Sequence, residues 1–145
     1  AGRGKAQGNV LIQTYSPEHY AIQCAAQHDY PRFFSEEILR RQALRYPPWV
    51  RLINLIFRGK IEHQVQEHSL ILQQILKSKT HGRPVEMIGP APLPLYRLRG
   101  HYRWHLMLKG EGVEQLHAVL REALEEVRLK RGVFLAVDVD PVAIL

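Results

Sequence analysis

The sequence is poor in cysteine and lacks a long apolar segment. Its 145 residues contain one cysteine, Cys24, which excludes an internal disulfide framework and a zinc site built from several cysteines. No apolar run approaches the ~20 residues that a membrane-spanning helix needs, and no signal-peptide pattern of charged and apolar regions is present. We therefore expect a cytoplasmic protein with no membrane partner.

Acidic residues are scarce relative to basic ones. The chain has 20 Lys and Arg against 14 Asp and Glu, which gives a net charge of +6. Residues 87–110 contain no acidic residue at all, although they carry three arginines and a lysine. A basic surplus of this kind favours an acidic partner, and nucleic acid is the commonest one.

Neither the histidines nor the cysteine are spaced for metal binding or catalysis. His101 and His105 share one face of a predicted strand, but at ~3.3 Å per residue they lie about 13 Å apart. His63 and His68 lie on different faces of a predicted helix. Cys24 falls on the buried stripe of its predicted helix, which indicates a structural thiol. We expect no metal in this chain and find no complete catalytic constellation.

The first part of the chain is predicted to contain a strand and two helices. Residues 10–15 have the apolar, β-branched composition of a strand. Ser16-Pro17-Glu18 is typical of a helix start, and this helix is predicted to end near His28. A second helix is predicted from about Arg32 to Arg45, and Tyr46-Pro47-Pro48 ends it because proline cannot continue a helix. We place a domain boundary at this point, between residues 1–46 and 47–145.

The second part alternates strands and helices. The predicted elements are a strand over 49–58, a helix over 60–79, a strand over 85–88, a strand or hairpin bent at Gly100 over 95–109, a helix over 111–130 and a strand over 133–139. Residues 89–94 (GPAPLP) are expected to have no regular structure. The β-α-β-β-α-β order is that of a ferredoxin-like, split βαβ domain of the α+β class. In this fold four strands form one antiparallel sheet, and both helices cover the same face.

The strand over 101–109 has two chemically different faces. Period-two alternation places on one face Tyr102, Trp104, Leu106 and Leu108. The other face carries His101, Arg103, His105, Met107 and Lys109. This basic face, extended by Arg97 and Arg99, is either a solvated surface or an anion-binding one, since arginine donates paired hydrogen bonds to phosphate. Tyr102 and Trp104 are either core residues or a stacking surface for bases.

Several motifs resemble one known family. Ala1-Gly2-Arg3 is similar to the last motif of superfamily 2 helicases, which ends in a Gly-Arg pair. The segments GNVLIQTYSPEHYAI, HDYPRFFSEEILRRQALRYPPW, IGPAPLPLYRLRGHYRWHLMLKG and VDVDP resemble the C-terminal part of the PriA family of replication-restart helicases, primosomal protein N′. The resemblance extends through nearly the whole chain, so we read the chain as an excerpt of such a protein.

The resemblance implies an ATP-dependent 3′→5′ DNA helicase that recognises stalled replication forks and initiates primosome assembly. Residues 1–46 would be the tail of the second helicase lobe, in which Arg3 contacts the γ-phosphate of ATP as an arginine finger. The Walker motifs and zinc-binding insertion of the family do not occur in this sequence. We therefore expect no cofactor and no ATPase activity for this chain, and ATP, Mg²⁺ and zinc for the full-length protein.

The resemblance also implies partners for residues 47–145. These partners are forked and single-stranded DNA, the acidic tail of single-stranded-DNA-binding protein, and primosome proteins. The candidate DNA-binding residues are Arg97, Arg99, Arg103 and Lys109, and the candidate partner-docking residues are His101, Tyr102, Trp104 and His105. The family pattern R-Y-R-W-Q has histidine at its first and last positions here. If these positions bind the acidic tail, the affinity for that tail should be weaker or pH-dependent.

Two other functions stay open at this stage. The apolar GPAPLPLY segment next to basic residues suits a protein-docking or lobe-bracing module that makes no direct contact with DNA. A basic ferredoxin-like domain is also compatible with a free-standing RNA-binding protein of the ribosomal type.

Overall fold

The computed structural model describes residues 8–142. The chain divides into two compact units between Arg40 and Arg41, a few residues before the boundary that we placed at Tyr46-Pro47-Pro48. None of the helices in residues 8–142 is long and apolar enough to cross a membrane.

The first unit is built on two helices, α1 (Tyr20–Gln27) and α2 (Tyr30–Ala43), the second of which runs past the dividing point. Helix α1 begins later than predicted, because His19 rather than Ser16 accepts a hydrogen bond from the first turn, at the main-chain N–H of Ala21. Asp29 caps α2 by accepting a hydrogen bond of 3.1 Å from the main-chain N–H of Arg32. Cys24 is buried, as predicted.

The prediction of a strand over residues 10–15 is wrong. These residues have no regular structure, and no strand in the described part of the chain pairs with them. Val10 and Leu11 are largely exposed. Apolar, β-branched composition favours a strand, but the backbone groups of a strand also need a neighbouring strand as partner.

The second unit contains a four-stranded antiparallel sheet in the order β2-β3-β1-β4. Its strands are β1 (Arg51–Gly59), β2 (Val85–Leu98), β3 (His101–Gly110) and β4 (Val133–Val139), and its helices are α3 (Glu62–Thr80) and α4 (Val113–Glu126). The core joins apolar side chains of β1 and β3 to those of both helices, including Phe57, Leu106, Leu72 and Leu116. Both helices therefore cover one sheet face, and the predicted ferredoxin-like α+β fold is confirmed.

Strand β2 is longer than predicted. It continues through the GPAPLP segment to Leu98, with register shifts between Ile88 and Ala91 and between Pro92 and Arg97. Prolines are tolerated here because β2 is an edge strand, where an N–H that points away from β3 takes part in no ladder hydrogen bond. At Gly89, with φ +98°, a Cβ atom would lie 3.0 Å from the carbonyl oxygen of His105, so this bulge requires glycine.

Helix α4 is shorter than predicted and ends at Glu126. The residues after it therefore form the connection to β4 instead of a last helical turn. His68, which is buried on α3, accepts a hydrogen bond of 3.3 Å from the main-chain N–H of Lys130. The side chain of Lys130 forms an ion pair of 3.1 Å with Glu67. These contacts hold the connection against α3 and leave Arg131 just before β4.

Candidate nucleic-acid interface

The sheet face opposite the helices, the open face, carries a row of side chains across three strands. In the observed register Arg58 of β1 is the partner of Arg103 on β3 and of Phe134 on β4. Directly opposed residues of neighbouring strands point to the same face, with Cβ atoms about 5 Å apart. Two arginines and a phenylalanine are thus neighbours although their strands are far apart in the sequence.

The turn between β2 and β3 brings further basic residues to the same end of the sheet. Arg99 and Gly100 both have positive φ angles, 49° and 77°, and their flanking residues Leu98 and His101 are cross-strand partners. This is the geometry of a two-residue type I′ hairpin, and it confirms the bend predicted at Gly100. The imidazole Nδ1 of His101 lies 3.1 Å from the carbonyl oxygen of Arg99.

A cavity of about 620 Å³, the basic groove, occupies this end of the open face. Its lining residues are Ile56, Arg58, Leu98, Arg99, His101, Arg103, Phe134 and Ala136. Three are arginines, and none of those described is acidic. The guanidinium carbon of Arg58 lies 5.5 Å from the ring centroid of Phe134, and Arg103 donates a hydrogen bond of 3.4 Å to the carbonyl oxygen of Leu95. The groove combines cationic walls with an apolar floor.

The four candidate DNA-binding residues fall into three different environments. Arg99 and Arg103 line the basic groove. Arg97 does not, because it is the cross-strand partner of Tyr102 and its guanidinium carbon lies 5.1 Å from that ring, on the helix-covered side. Lys109 is buried and donates a hydrogen bond of 2.9 Å to the carbonyl oxygen of Leu44. Lys109 is thus engaged inside the domain and does not belong to the basic surface.

The four candidate docking residues are divided between the two faces of β3, as the alternation predicts. Tyr102 and Trp104 are partly buried and pack against the core on the helix side, so they do not form a stacking surface on the open face. His101 lines the basic groove. His105 is half-buried, with Nδ1 3.1 Å from Oδ1 of Asn54, and burial lowers the pKa of its imidazole.

Arg58 and Phe134 are among the five groove residues that were not candidates from the sequence. Arg58 ends the predicted strand over 49–58 and Phe134 lies near the start of the last predicted strand. Strand periodicity indicates which residues share a face, but it does not indicate which strands are adjacent or in what register. No local signal therefore linked these two residues to Arg103.

Arg3 lies outside the described residues. Within residues 8–142, no three His, Cys, Asp or Glu side chains are grouped so that they could hold a metal ion.

Fold and groove together define a ferredoxin-like α+β domain with a polycationic, apolar-floored sheet face. Residues 42–142 match the family model described as the primosomal protein N C-terminal domain. The chain belongs to this family, that of the replication restart protein PriA.

Curated relatives match almost the whole chain. Replication restart protein PriA of Treponema pallidum is 34% identical over 145 residues, that of Synechocystis sp. 35% over 148 residues, and that of Thermotoga maritima 38% over 142 residues. These matches cover 100%, 99% and 97% of this chain, but 22%, 17% and 18% of the respective relatives. The chain thus spans about a fifth of the length of the curated relatives it matches.

Proposed function

We propose that this chain is the C-terminal part of an ATP-dependent 3′→5′ DNA helicase that recognises stalled replication forks and initiates primosome assembly, and that its basic groove binds forked and single-stranded DNA. Family membership supports the role in replication restart. The full-length protein would bind ATP, Mg²⁺ and zinc through residues outside this sequence, and Arg3 would contact the γ-phosphate of ATP. It would act in the cytoplasm and bind primosome proteins.

The convergence of Arg58, Arg99 and Arg103 on one groove is the observation that carries the DNA-binding part. Each guanidinium donates paired hydrogen bonds to phosphate oxygens. Each neutralised phosphate also releases condensed counterions, which favours binding at low salt. Arg58, Arg99 and Arg103 all line this groove, and a polyanion bound there reduces the repulsion between their like charges.

Fluorescence anisotropy on forked and single-stranded DNA at a series of salt concentrations tests this proposal. Binding should weaken as salt rises, and Arg58→Ala or Arg103→Ala should each reduce the slope of log K against log salt by about 0.7 on single strands. Arg121→Ala is the matched control, because it removes the same charge from α4, which covers the opposite face of the sheet. No binding at low salt, or an equal loss in the control, contradicts the proposal.

A second candidate function is docking of the acidic tail of single-stranded-DNA-binding protein. The apolar floor formed by Ile56, Leu98 and Ala136 between the arginines supports it, since such a floor suits a peptide with acidic residues and a terminal phenylalanine. Titration with that peptide separates the two functions. If docking is the main role, Arg103→Ala abolishes peptide binding and spares DNA binding; loss of DNA binding in the same variant favours the DNA assignment.

A further inference from the structure

A second cavity adjoins the basic groove at the end of the sheet. This end cavity, of about 440 Å³, is lined by Lys60, Ile61, Gln64, His101, Arg131, Gly132 and Phe134. Lys60 directly follows β1, and Arg131 lies just before β4. No acidic residue lines either cavity in the part of the chain that the structure describes. The two cavities together form a basic path across the ends of β1, β3 and β4.

Phe134 is shared by the two cavities, since it lines both of them, as His101 also does. Phe134 is 52% exposed, although its side chain has no polar atom that interacts with water. Arg58 and Arg103 lie on the basic-groove side of the ring, and Lys60 and Arg131 lie on the end-cavity side. An exposed aromatic ring with cations on both sides is the arrangement by which proteins bind single-stranded nucleic acids, with a base on the ring and phosphates on the cations.

We propose that Phe134 is a stacking platform for one unpaired base of single-stranded DNA, whose flanking phosphates lie in the basic groove and in the end cavity. This inference rests on the proposed DNA-binding function and specifies the ligand of that site. A base in a duplex is covered on both faces by its neighbours, so the platform selects a strand that is already unwound. The cations of the end cavity, Lys60 and Arg131, then become part of the DNA-binding surface.

The distribution of the cations favours single-stranded DNA over an acidic peptide. An acidic tail with a terminal aromatic residue needs one cluster of cations next to an apolar surface. Here the cations continue on both sides of a half-exposed ring, which matches a chain with regularly spaced charges and a flat base at each step.

Two single-stranded oligonucleotides of equal length and charge test the inference, one with all its bases and one with abasic sites. Phe134→Leu should weaken binding of the first about 5- to 100-fold, as expected for loss of one stacked base, and should leave binding of the abasic strand unchanged. Phe134→Trp should retain binding. The fluorescence of a 2-aminopurine base in the strand should be quenched when the strand binds to the unaltered chain or to Phe134→Trp. It should not be quenched when the strand binds to Phe134→Leu.

Further variants test the phosphate contacts and separate the possible failures. Lys60→Ala and Arg131→Ala should each lower the salt slope by about 0.7 on both oligonucleotides, while Arg121→Ala should not. If Phe134→Leu affects both strands equally, or neither, the stacking role is overturned but the groove still binds DNA through phosphates. If it weakens an acidic peptide and not DNA, the ring serves a peptide and the inference is overturned. No DNA binding by the unaltered chain at low salt overturns the proposed function itself.

Discussion

The ammonium group of Lys109 donates a hydrogen bond of 2.9 Å to the main-chain carbonyl of Leu44. It also lies 5.0 Å from the ring centroid of Tyr46 and 3.8 Å from a carboxylate oxygen of Glu86, and the residue is only 6% exposed. These contacts join β3 to the segment that precedes β1. Lys109 is therefore a structural residue, although its position in the sequence is that of a surface cation.

Lys109→Ala should lower the free energy of unfolding by about 1–3 kcal/mol, because the variant loses the charged hydrogen bond to the Leu44 carbonyl and the contact with the Tyr46 ring. Urea denaturation measures this change, and Lys77→Ala, at an exposed position on α3, is the matched control. The salt slope of DNA binding should stay the same in the folded variant. A slope reduced by about 0.7 would instead place Lys109 in contact with phosphate.

Arg99→Asn should stabilise the domain and weaken DNA binding. Arg99 adopts a φ angle of 49° next to Gly100 at 77°, and Asn-Gly is the dipeptide that best fits such a type I′ turn. The free energy of unfolding should rise by several tenths of a kcal/mol up to about 1 kcal/mol, while affinity for single-stranded DNA falls with the lost charge. Arg99→Ala, the control, removes the same charge and should give no gain in stability. A parallel loss of stability and affinity in Arg99→Asn contradicts this view of the turn.

The stability of the domain should fall in mild acid because of His105. Burial lowers the pKa of its imidazole below the ordinary 6.5, so the unfolded chain takes up this proton more readily than the folded one. The free energy of unfolding should therefore decrease as the pH falls below about 6.5 and should stop responding to this group once the pH passes the lowered folded-state pKa.

His105→Gln tests the assignment of this pH dependence. The amide retains a hydrogen-bonding group next to Asn54 and does not titrate, so the variant should lose less stability between pH 7 and pH 5 than the unaltered chain. His81→Gln, at an exposed histidine after α3, should keep the original pH dependence. Identical urea-denaturation profiles for His105→Gln and the unaltered chain at both pH values would assign the acid sensitivity to other groups.

Gly59→Ala should destabilise the sheet end that carries the basic groove. A Cβ atom at Gly59 would lie 2.9 Å from the carbonyl oxygen of Gly132 and 2.9 Å from Cγ2 of Val65. The added atom would push β1 away from the loop before β4 and from helix α3. This would lower the free energy of unfolding by about 1–3 kcal/mol. In Gly112→Ala the added Cβ meets only the flexible side chain of Gln115, at 3.3 Å, so it should cost less. Equal thermal unfolding midpoints for the two variants contradict the prediction.

Much of the fold could be predicted from local sequence patterns. The alternation from Tyr102 to Leu108 predicts which face of β3 joins the core, and the core composition confirms it. Gly100 marks the hairpin, and the β-α-β-β-α-β order follows from the periodicity of each segment. These features depend on residues that are close together in the chain, so their side-chain pattern is sufficient to identify them.

Elements whose existence depends on a neighbour could not be predicted in the same way. Residues 10–15 have strand composition, but no described strand pairs with them. Residues 89–94 have loop composition, yet they belong to β2 because an edge strand tolerates proline.

The sequence by itself determined the order of elements in the second unit, the two faces of β3 and membership of a replication-restart family. Only the tertiary structure decided which cations form a site. The register of β1 against β3 and β4 brings Arg58 beside Arg103 and Phe134, whereas the Leu44–Tyr46 segment engages Lys109 on the same face. The physical reason is that side-chain period fixes the face of each residue, while long-range hydrogen-bond register and packing fix its neighbours and its exposure.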